Sequence, residues 1–427
     1  MKALVVASTR PEVIKLAPVL RELEKNKIEY RFITTGQHYD RMLFDKFIEE
    51  LELRKPDYNI EVGSGTQAYQ TSQALLELER IFLRENPNVV IVQGDTNSTL
   101  SSALAAIKLH IPVAHVEAGL RSFDKRMPEE INRIIADHCS MLLFAPTEKA
   151  ALNLITEGIF PEKVFIVGNT IVDAVLQNIE IAKRKSSIKE KDYILLTLHR
   201  AENVDNKKIL ENIVDALISI NKKIIFPVHP RTKKRLEEFK LLEKLKNSNI
   251  KIIEPLGYLD FLLLLSNAKL VLTDSGGVQE EAIILHVPCV TLRTTTERPE
   301  TIEAGGNVLA GVEKEGIVKT LNSLLFDEER YAKMKKAKNP FGDGKSGERI
   351  VSIILDKYEK GELIFEETKI LKGWKREIIK VNEELEGKEI KELDFKVLRM
   401  IDGKEIRFPY GNLKLKKGQL IEIFKIL

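Results

Sequence analysis

The stretch HVEAGLRSFDKRMPEE, residues 115–130, carries four carboxylates, two arginines and a histidine, and VQGDTNS, residues 92–98, adds a fifth carboxylate in Asp95. Carboxylates that lose water without partners are costly, so such a cluster asks for a use. Paired carboxylates in a cleft suit proton transfer, because mutual repulsion and burial raise their pKa values toward neutrality. The competing role for Glu117 is that of a buried partner for Arg121 or Arg133. His115 and Glu117 stand two apart on one expected strand, so they share a face, and with Asp95 they could resemble a metal site. No H-E-x-x-H and no cysteine pair accompany them, so the metal-free reading is preferred.

Other polar motifs follow expected strands. STRPEVIK (8–15) offers Arg10 and Lys15 to a diphosphate, one as a planar fork and one as a point charge; a solvated helix start is the plainer alternative. LHRAEN (198–203) and PVHPRT (227–232) put His199 and His229 at strand ends. TDSGGVQEEA (273–282) follows a strand and opens a helix. There Gly276 and Gly277 let backbone N–H groups approach a ligand, the helix N-terminus favours phosphate, and Ser275 adds a hydroxyl. Glu281 could accept from a ribose diol. Exposure of both Glu280 and Glu281 is left open, and the motif alone does not choose between them.

Two sets of strands must position these groups. KALVVA (2–7), YRFITT (30–35), NVVIVQ (88–93), PVAHVE (112–117) and VFIVG (164–168) alternate with helical periodicity, beginning with a helix over 11–25. YILLTL (193–198), KIIFPV (223–228), IKIIE (250–254), KLVLT (269–273) and PCVTL (288–292) repeat the pattern. Apolar strands alternating with helices imply parallel sheets covered on both faces. The expected fold class is α/β: two doubly wound Rossmann-like domains, 1–182 and 183–348, facing a cleft into which the strand ends bring the polar motifs. A helix over 349–360 follows. A β-rich appendage spans 361–427, with Asp402-Gly403 as a hairpin turn.

The totals exclude other classes. Lysine and arginine number 67 against 64 acidic residues, a net charge of +3 on 427 residues, which implies no nucleic-acid or membrane field. The apolar run Ala3 to Ala7 is too short for a signal peptide, and FLLLL (261–265) is far short of a membrane span. Two distant cysteines, Cys139 and Cys289, give no disulfide framework and fit a reducing cytoplasm.

STRPEVIK, GQH, VQGDTNS, HVEAGLRS, MPEEINR, HRAEN, HPRT, DSGGVQEEA, TTERPE and NPFGDGKS occur in this order. Over residues 1–360 the set closely resembles the non-hydrolysing UDP-N-acetylglucosamine 2-epimerases. The resemblance implies a two-domain fold of the GT-B kind, with the C-terminal helix crossing back to the first domain. It implies interconversion of UDP-N-acetylglucosamine and UDP-N-acetylmannosamine without a nicotinamide cofactor, by elimination of UDP to 2-acetamidoglucal and re-addition. By motif, Asp95, Glu117 and Glu129 become the acid/base candidates. His199, Arg10 and Lys15 would stabilise the leaving diphosphate, Ser275, Gly276 and Gly277 would hold it, and Glu281 would bind ribose. Phe261 would pack on uracil, while Arg133, Thr296 and Arg298 would lie near the sugar. A homodimer is implied. Which carboxylate takes the proton stays open.

Departures accompany the likeness. Gln37, His38 and Glu130 resemble parts of a second, activating UDP-N-acetylglucosamine site. GQHYDRM is one residue longer than the bacterial pattern, however, and Gln73 stands where that form has an arginine. Weak or absent activation by a second substrate is the expectation. The tail faintly resembles the regulatory module of potassium-channel cytosolic domains; a packing or dimerisation appendage is the other reading. The alternatives in activity are a hydrolysing epimerase, a UDP-sugar glycosyltransferase of the same fold, and a nucleotide-sugar sensor without catalysis.

Overall fold

The computed structural model describes residues 1–36, 41–365, 374–402 and 405–426. The chain forms two compact units, one of residues 1–170 with 341–427 and one of residues 171–340. The expected boundary after residue 182 falls inside the helix Thr170–Lys185, and the units divide at Thr170/Ile171 instead.

The first unit is built on seven parallel strands: β1 Lys2–Ala7, β2 Glu29–Thr34, β3 Tyr58–Asn59, β4 Val89–Gln93, β5 Val113–Val116, β6 Leu142–Ala145 and β7 Val164–Ile166. Their order is β3-β2-β1-β4-β5-β6-β7. β4, β5 and β6 are buried at every residue, as a sheet covered on both faces requires. β3 and β6 complete the set read from sequence. β3 has two residues, too few for a periodic signal, and LLFA is short enough to be read as helix or strand.

The second unit repeats the plan with β8 Ile194–Thr197, β9 Ile224–Pro227, β10 Ile250–Ile253, β11 Leu270–Thr273, β12 Cys289–Thr291 and β13 Asn307–Leu309. The order is β10-β9-β8-β11-β12-β13, all parallel. In each sheet the order reverses between the first and fourth strands, β1/β4 and β8/β11. Loops leaving the carboxyl ends at such a reversal diverge to opposite faces and leave room for a ligand. STRPEVIK and GDTNS leave β1 and β4; HRAEN and DSGG leave β8 and β11.

The helix Ser346–Glu359 belongs to the first unit. It packs on the helix Arg10–Lys25 so closely that a Cβ on Gly347 would lie 2.9 Å from the Pro18 carbonyl oxygen. The appendage also belongs to this unit. It is an antiparallel sheet of β14 Trp374–Lys380, β15 Lys396–Asp402, β16 Glu405–Arg407 and β17 Leu420–Ile426, ordered β14-β17-β15-β16. Asp402 pairs with Glu405; the glycine of the expected turn lies outside the described residues. Leu398, Phe408 and Phe424 join the apolar cluster of Ala118, Leu154 and Val164. Phe424 meets Phe160 edge-on at 5.1 Å.

Candidate active site

At the β1/β4 reversal, Glu12 organises both loops. Thr9 caps the helix Arg10–Lys25 in a capping box with Glu12. Glu12 Oε2 accepts from the Ser8 and Thr9 amides, both at 2.7 Å, and Oε1 accepts from Thr96 Oγ1 at 2.7 Å. One buried carboxylate thus ties the loop after β1 to the loop after β4. Sequence reasoning passed over Glu12, although the T-x-x-E spacing is its signal.

That helix start aims Lys15 at Glu117, whose oxygens lie 2.6 and 2.7 Å from Nζ. Glu117 is 7% exposed and also accepts from Gln93 Nε2 and, at 3.4 Å, from Asn169 Nδ2. This corrects the partners expected from sequence. Arg121 instead pairs with Asp137 and Glu157, and Arg133 with Asp95 at 2.5 Å and Glu130 at 2.9 Å.

The expected shared face of His115 and Glu117 is also corrected. β5 ends at Val116, and Glu117 has a left-handed backbone, φ 69°, so the two-residue alternation stops before it. His115 turns to Asp137 and the Gly94 carbonyl, while Glu117 turns to Lys15. Among the described residues no three His, Cys, Asp or Glu side chains are grouped to hold a metal ion.

Glu130 accepts from the Ser122 and Phe123 amides, each at 2.9 Å. Burial pushes its carboxyl up, but those amides and Arg133 outweigh burial and hold it below the ordinary value. Glu129 is exposed on the first turn of the helix Pro128–Cys139. Arg10 is exposed too, its guanidinium 5.4 Å from the Phe47 ring centroid. Gln37 and His38 lie outside the described residues.

In the second unit the organiser is Asp274, fully buried at the end of β11. It accepts from the Arg200 amide at 2.9 Å, the His199 amide at 3.1 Å and Asn203 Nδ2 at 3.3 Å. Its Oδ1 lies 3.3 Å from His199 Nδ1, and the His199 ring is part-exposed. Asp274 thus joins the loops after β8 and β11. The His229 ring lies 6.0 Å from that of His199 and caps the helix Pro230–Glu238 through Nδ1.

The helix Gly276–Ile284 has Ser275 at its N-cap with no side-chain cap bond, so its first amides point outward as an anion site. Neither glycine is required by packing. A Cβ on Gly276 would come no closer than 4.0 Å to another atom, and one on Gly277 no closer than 3.9 Å. The room is therefore available to a ligand. Glu280 and Glu281 are both buried. Glu280 pairs with Arg298 at 2.7 Å; the helix turns inward past its first turn because it packs against β12.

Thr296 donates to Gln279 Oε1 at 2.6 Å and accepts from the Arg298 amide at 3.0 Å, which fixes the TTERPE segment on the same helix. Arg293 beside Glu297 holds that carboxyl at about 2, against the opposing effect of burial. Phe261 is half-buried on the helix Tyr258–Asn267.

Two doubly wound α/β units, each with a polar loop pair at its strand-order reversal and one with an anion-ready helix start, define a nucleotide-binding protein of the GT-B-like class. A family model described as UDP-N-acetylglucosamine 2-epimerase matches residues 21–355, and the chain belongs to that family. The UDP-N-acetylglucosamine 2-epimerase of Methanocaldococcus jannaschii is 56% identical over 367 residues, covering 83% of this chain and 99% of that protein. Its crystal structure in complex with UDP-GlcNAc and UDP has a TM-score of 0.72 at 56% identity, covering 83% of this chain and 100% of that one. The UDP-2,3-diacetamido-2,3-dideoxy-D-glucuronate 2-epimerase of Pseudomonas aeruginosa is 44% identical over 332 residues, 76% of this chain and 92% of that protein.

Proposed function

We propose that this isomerase interconverts UDP-N-acetylglucosamine and UDP-N-acetylmannosamine by the non-hydrolysing route. The observation that carries the reading is Glu117: a nearly buried carboxylate at the carboxyl end of β5, held on both oxygens by Lys15. A carboxylate so fixed and so poorly hydrated suits proton transfer at a weakly acidic carbon.

In the forward step one carboxylate removes the C2 proton, the C–H pair forms the C1=C2 bond, and the C1–O bond breaks to release UDP. In the return step a UDP oxygen attacks C1 and C2 receives a proton on the opposite face. Asp95, Glu117 and Glu129 are the proposed acid/base groups. Arg10, Lys15 and His199 take the developing diphosphate charge. Ser275, Gly276 and Gly277 hold the phosphates, Glu281 the ribose and Phe261 the uracil. Arg133, Thr296 and Arg298 orient the sugar. No cofactor enters either step.

The chain is further proposed to act in the cytoplasm as a homodimer. Both cysteines are free, and among the described residues no helix is long and apolar enough to cross a membrane. Tyr69, Leu76 and Ile131 are exposed apolar side chains that support a self-association face, and light scattering at varied concentration tests it.

The test of function is proton NMR with UDP-N-acetylglucosamine in heavy water containing EDTA. UDP-N-acetylmannosamine with deuterium at C2 is expected. Free N-acetylmannosamine with UDP as the sole products would instead assign the hydrolysing reaction, and an unchanged spectrum would reject both.

A further inference from the structure

His115 is fully buried, with Nδ1 2.7 Å from Asp137 Oδ1 and Nε2 2.8 Å from the Gly94 carbonyl oxygen. A carbonyl only accepts. The second oxygen of Asp137 already receives Arg121 at 2.7 Å and the Gly119 amide at 3.2 Å, so that carboxylate is an acceptor as well. A neutral imidazole has one N–H and one lone pair and would set the lone pair against one of these acceptors. Only the imidazolium donates to both.

The charges around the ring agree. Arg121 faces Asp137 on one side and Glu157 on the other, at 2.7 and 2.6 Å. With His115 protonated, His115, Asp137, Arg121 and Glu157 sum to zero; with it neutral, the group keeps a net negative charge. Burial by itself lowers the His115 pKa, but Asp137 and the Gly94 carbonyl outweigh burial and the opposing Arg121, and the pKa stands above its ordinary value.

The partners of this pair are the two loops that carry the proposed acid/base groups. Gly94 precedes Asp95. Gly119 lies two residues beyond Glu117, and a Cβ there would fall 2.2 Å from the Ala150 carbonyl oxygen. Gly94, Glu117 and Gly119 all have left-handed backbones, φ 76°, 69° and 82°; the non-glycine among them is strained and persists only where its surroundings fix it. We propose that His115 is a permanently charged positioning residue, whose imidazolium–Asp137 pair ties the Gly94 carbonyl to the Gly119 amide and so sets the spacing of Asp95 and Glu117. It touches no substrate itself.

The kinetic half of the test rests on the acid/base roles proposed above; the spectroscopic half does not. In 15N-histidine NMR of the wild-type protein at about pH 7.5, one unit above the ordinary histidine value, one of the seven histidines should carry protons on both ring nitrogens. That signal should be absent from His115→Gln. In the deuterium-exchange assay a folded His115→Gln should lose roughly 100-fold in kcat with KM changed less than about threefold, the signature of misplaced reacting groups. Asp137→Asn, which keeps an acceptor but removes the charge, should leave the buried ring neutral at that pH with the same kcat loss, and serves if His115→Gln does not fold. An unprotonated His115 nitrogen in the wild type overturns the proposal, as does wild-type kcat in either folded variant. Wild-type protein that does not epimerise would instead overturn the functional reading and leave the NMR result to decide the charge.

Discussion

Lys15 Nζ bridges both oxygens of Glu117 at 2.6 and 2.7 Å, joining the first helix to the end of the fifth strand across 102 residues of sequence. Removing one partner of a mostly buried ion pair strands the other charge, at roughly 3 kcal/mol. Lys15→Met is therefore expected to lower the urea midpoint visibly and kcat by 100-fold or more, on the order of one lost charge-stabilising group. Glu117→Gln keeps the shape but strands the Lys15 charge by the same argument, so its urea midpoint should also drop, while C2 deuterium incorporation by the folded variant falls by a factor on the order of 10²–10⁴. Rapid exchange in Glu117→Gln would remove Glu117 from the proton path.

Gly276 and Gly277 separate folding from binding. A methyl group at either position meets nothing closer than 3.9 Å, and alanine favours a helix over glycine by about 1 kcal/mol. Gly277→Ala should melt at or above the wild-type temperature and yet bind UDP about tenfold or more weakly by calorimetry. Unchanged affinity would show that the phosphates do not approach that backbone.

Glu130 gives a pH prediction. Its folded pKa is depressed because the Ser122 and Phe123 amides and Arg133 outweigh burial. A depressed carboxyl pKa contributes stability that is present above the unfolded value near 4.5 and is lost as pH falls through the folded one. Glu130→Gln should cost roughly 2 kcal/mol at neutral pH, and its urea midpoint should fall less steeply than that of the wild type below about pH 4.5. Parallel pH profiles would mean Glu130 does not carry that slope.

The appendage is welded to the first unit by apolar packing. Phe408 lies in the cluster that holds Ala118, next to Glu117, and its amide donates to Glu148 at 2.9 Å. Phe408→Ala should cost about 3–5 kcal/mol by the cavity it leaves, seen in the melting temperature. If instead the appendage alone becomes protease-sensitive while the main transition is unmoved, the shared cluster is not a joint core.

Much of this protein was legible in its residues. The strand–helix alternation, the helix start at STRPEVIK and the placement of HRAEN and DSGG beyond strand ends follow from local pattern, because a parallel sheet buried on both faces forces apolar runs and polar loops can only follow them. The appended β sheet was legible from strand-like runs around Asp402. Partnership was not legible. Glu12 and Asp274 each join two loops far apart in sequence, Glu117 chose Lys15 over the nearer Arg121 and Arg133, and Glu280 and Glu281 turned inward. Spacing along a chain assigns a residue to a face, but a hydrogen bond between loops depends on strand order, and here the order reverses between β1 and β4 and between β8 and β11. Sequence by itself therefore determined the class of fold and the set of chemical groups. The tertiary structure decided which of those groups meet, because the charge of a buried carboxylate or imidazole is set by whatever the crossing loops bring within about 3 Å.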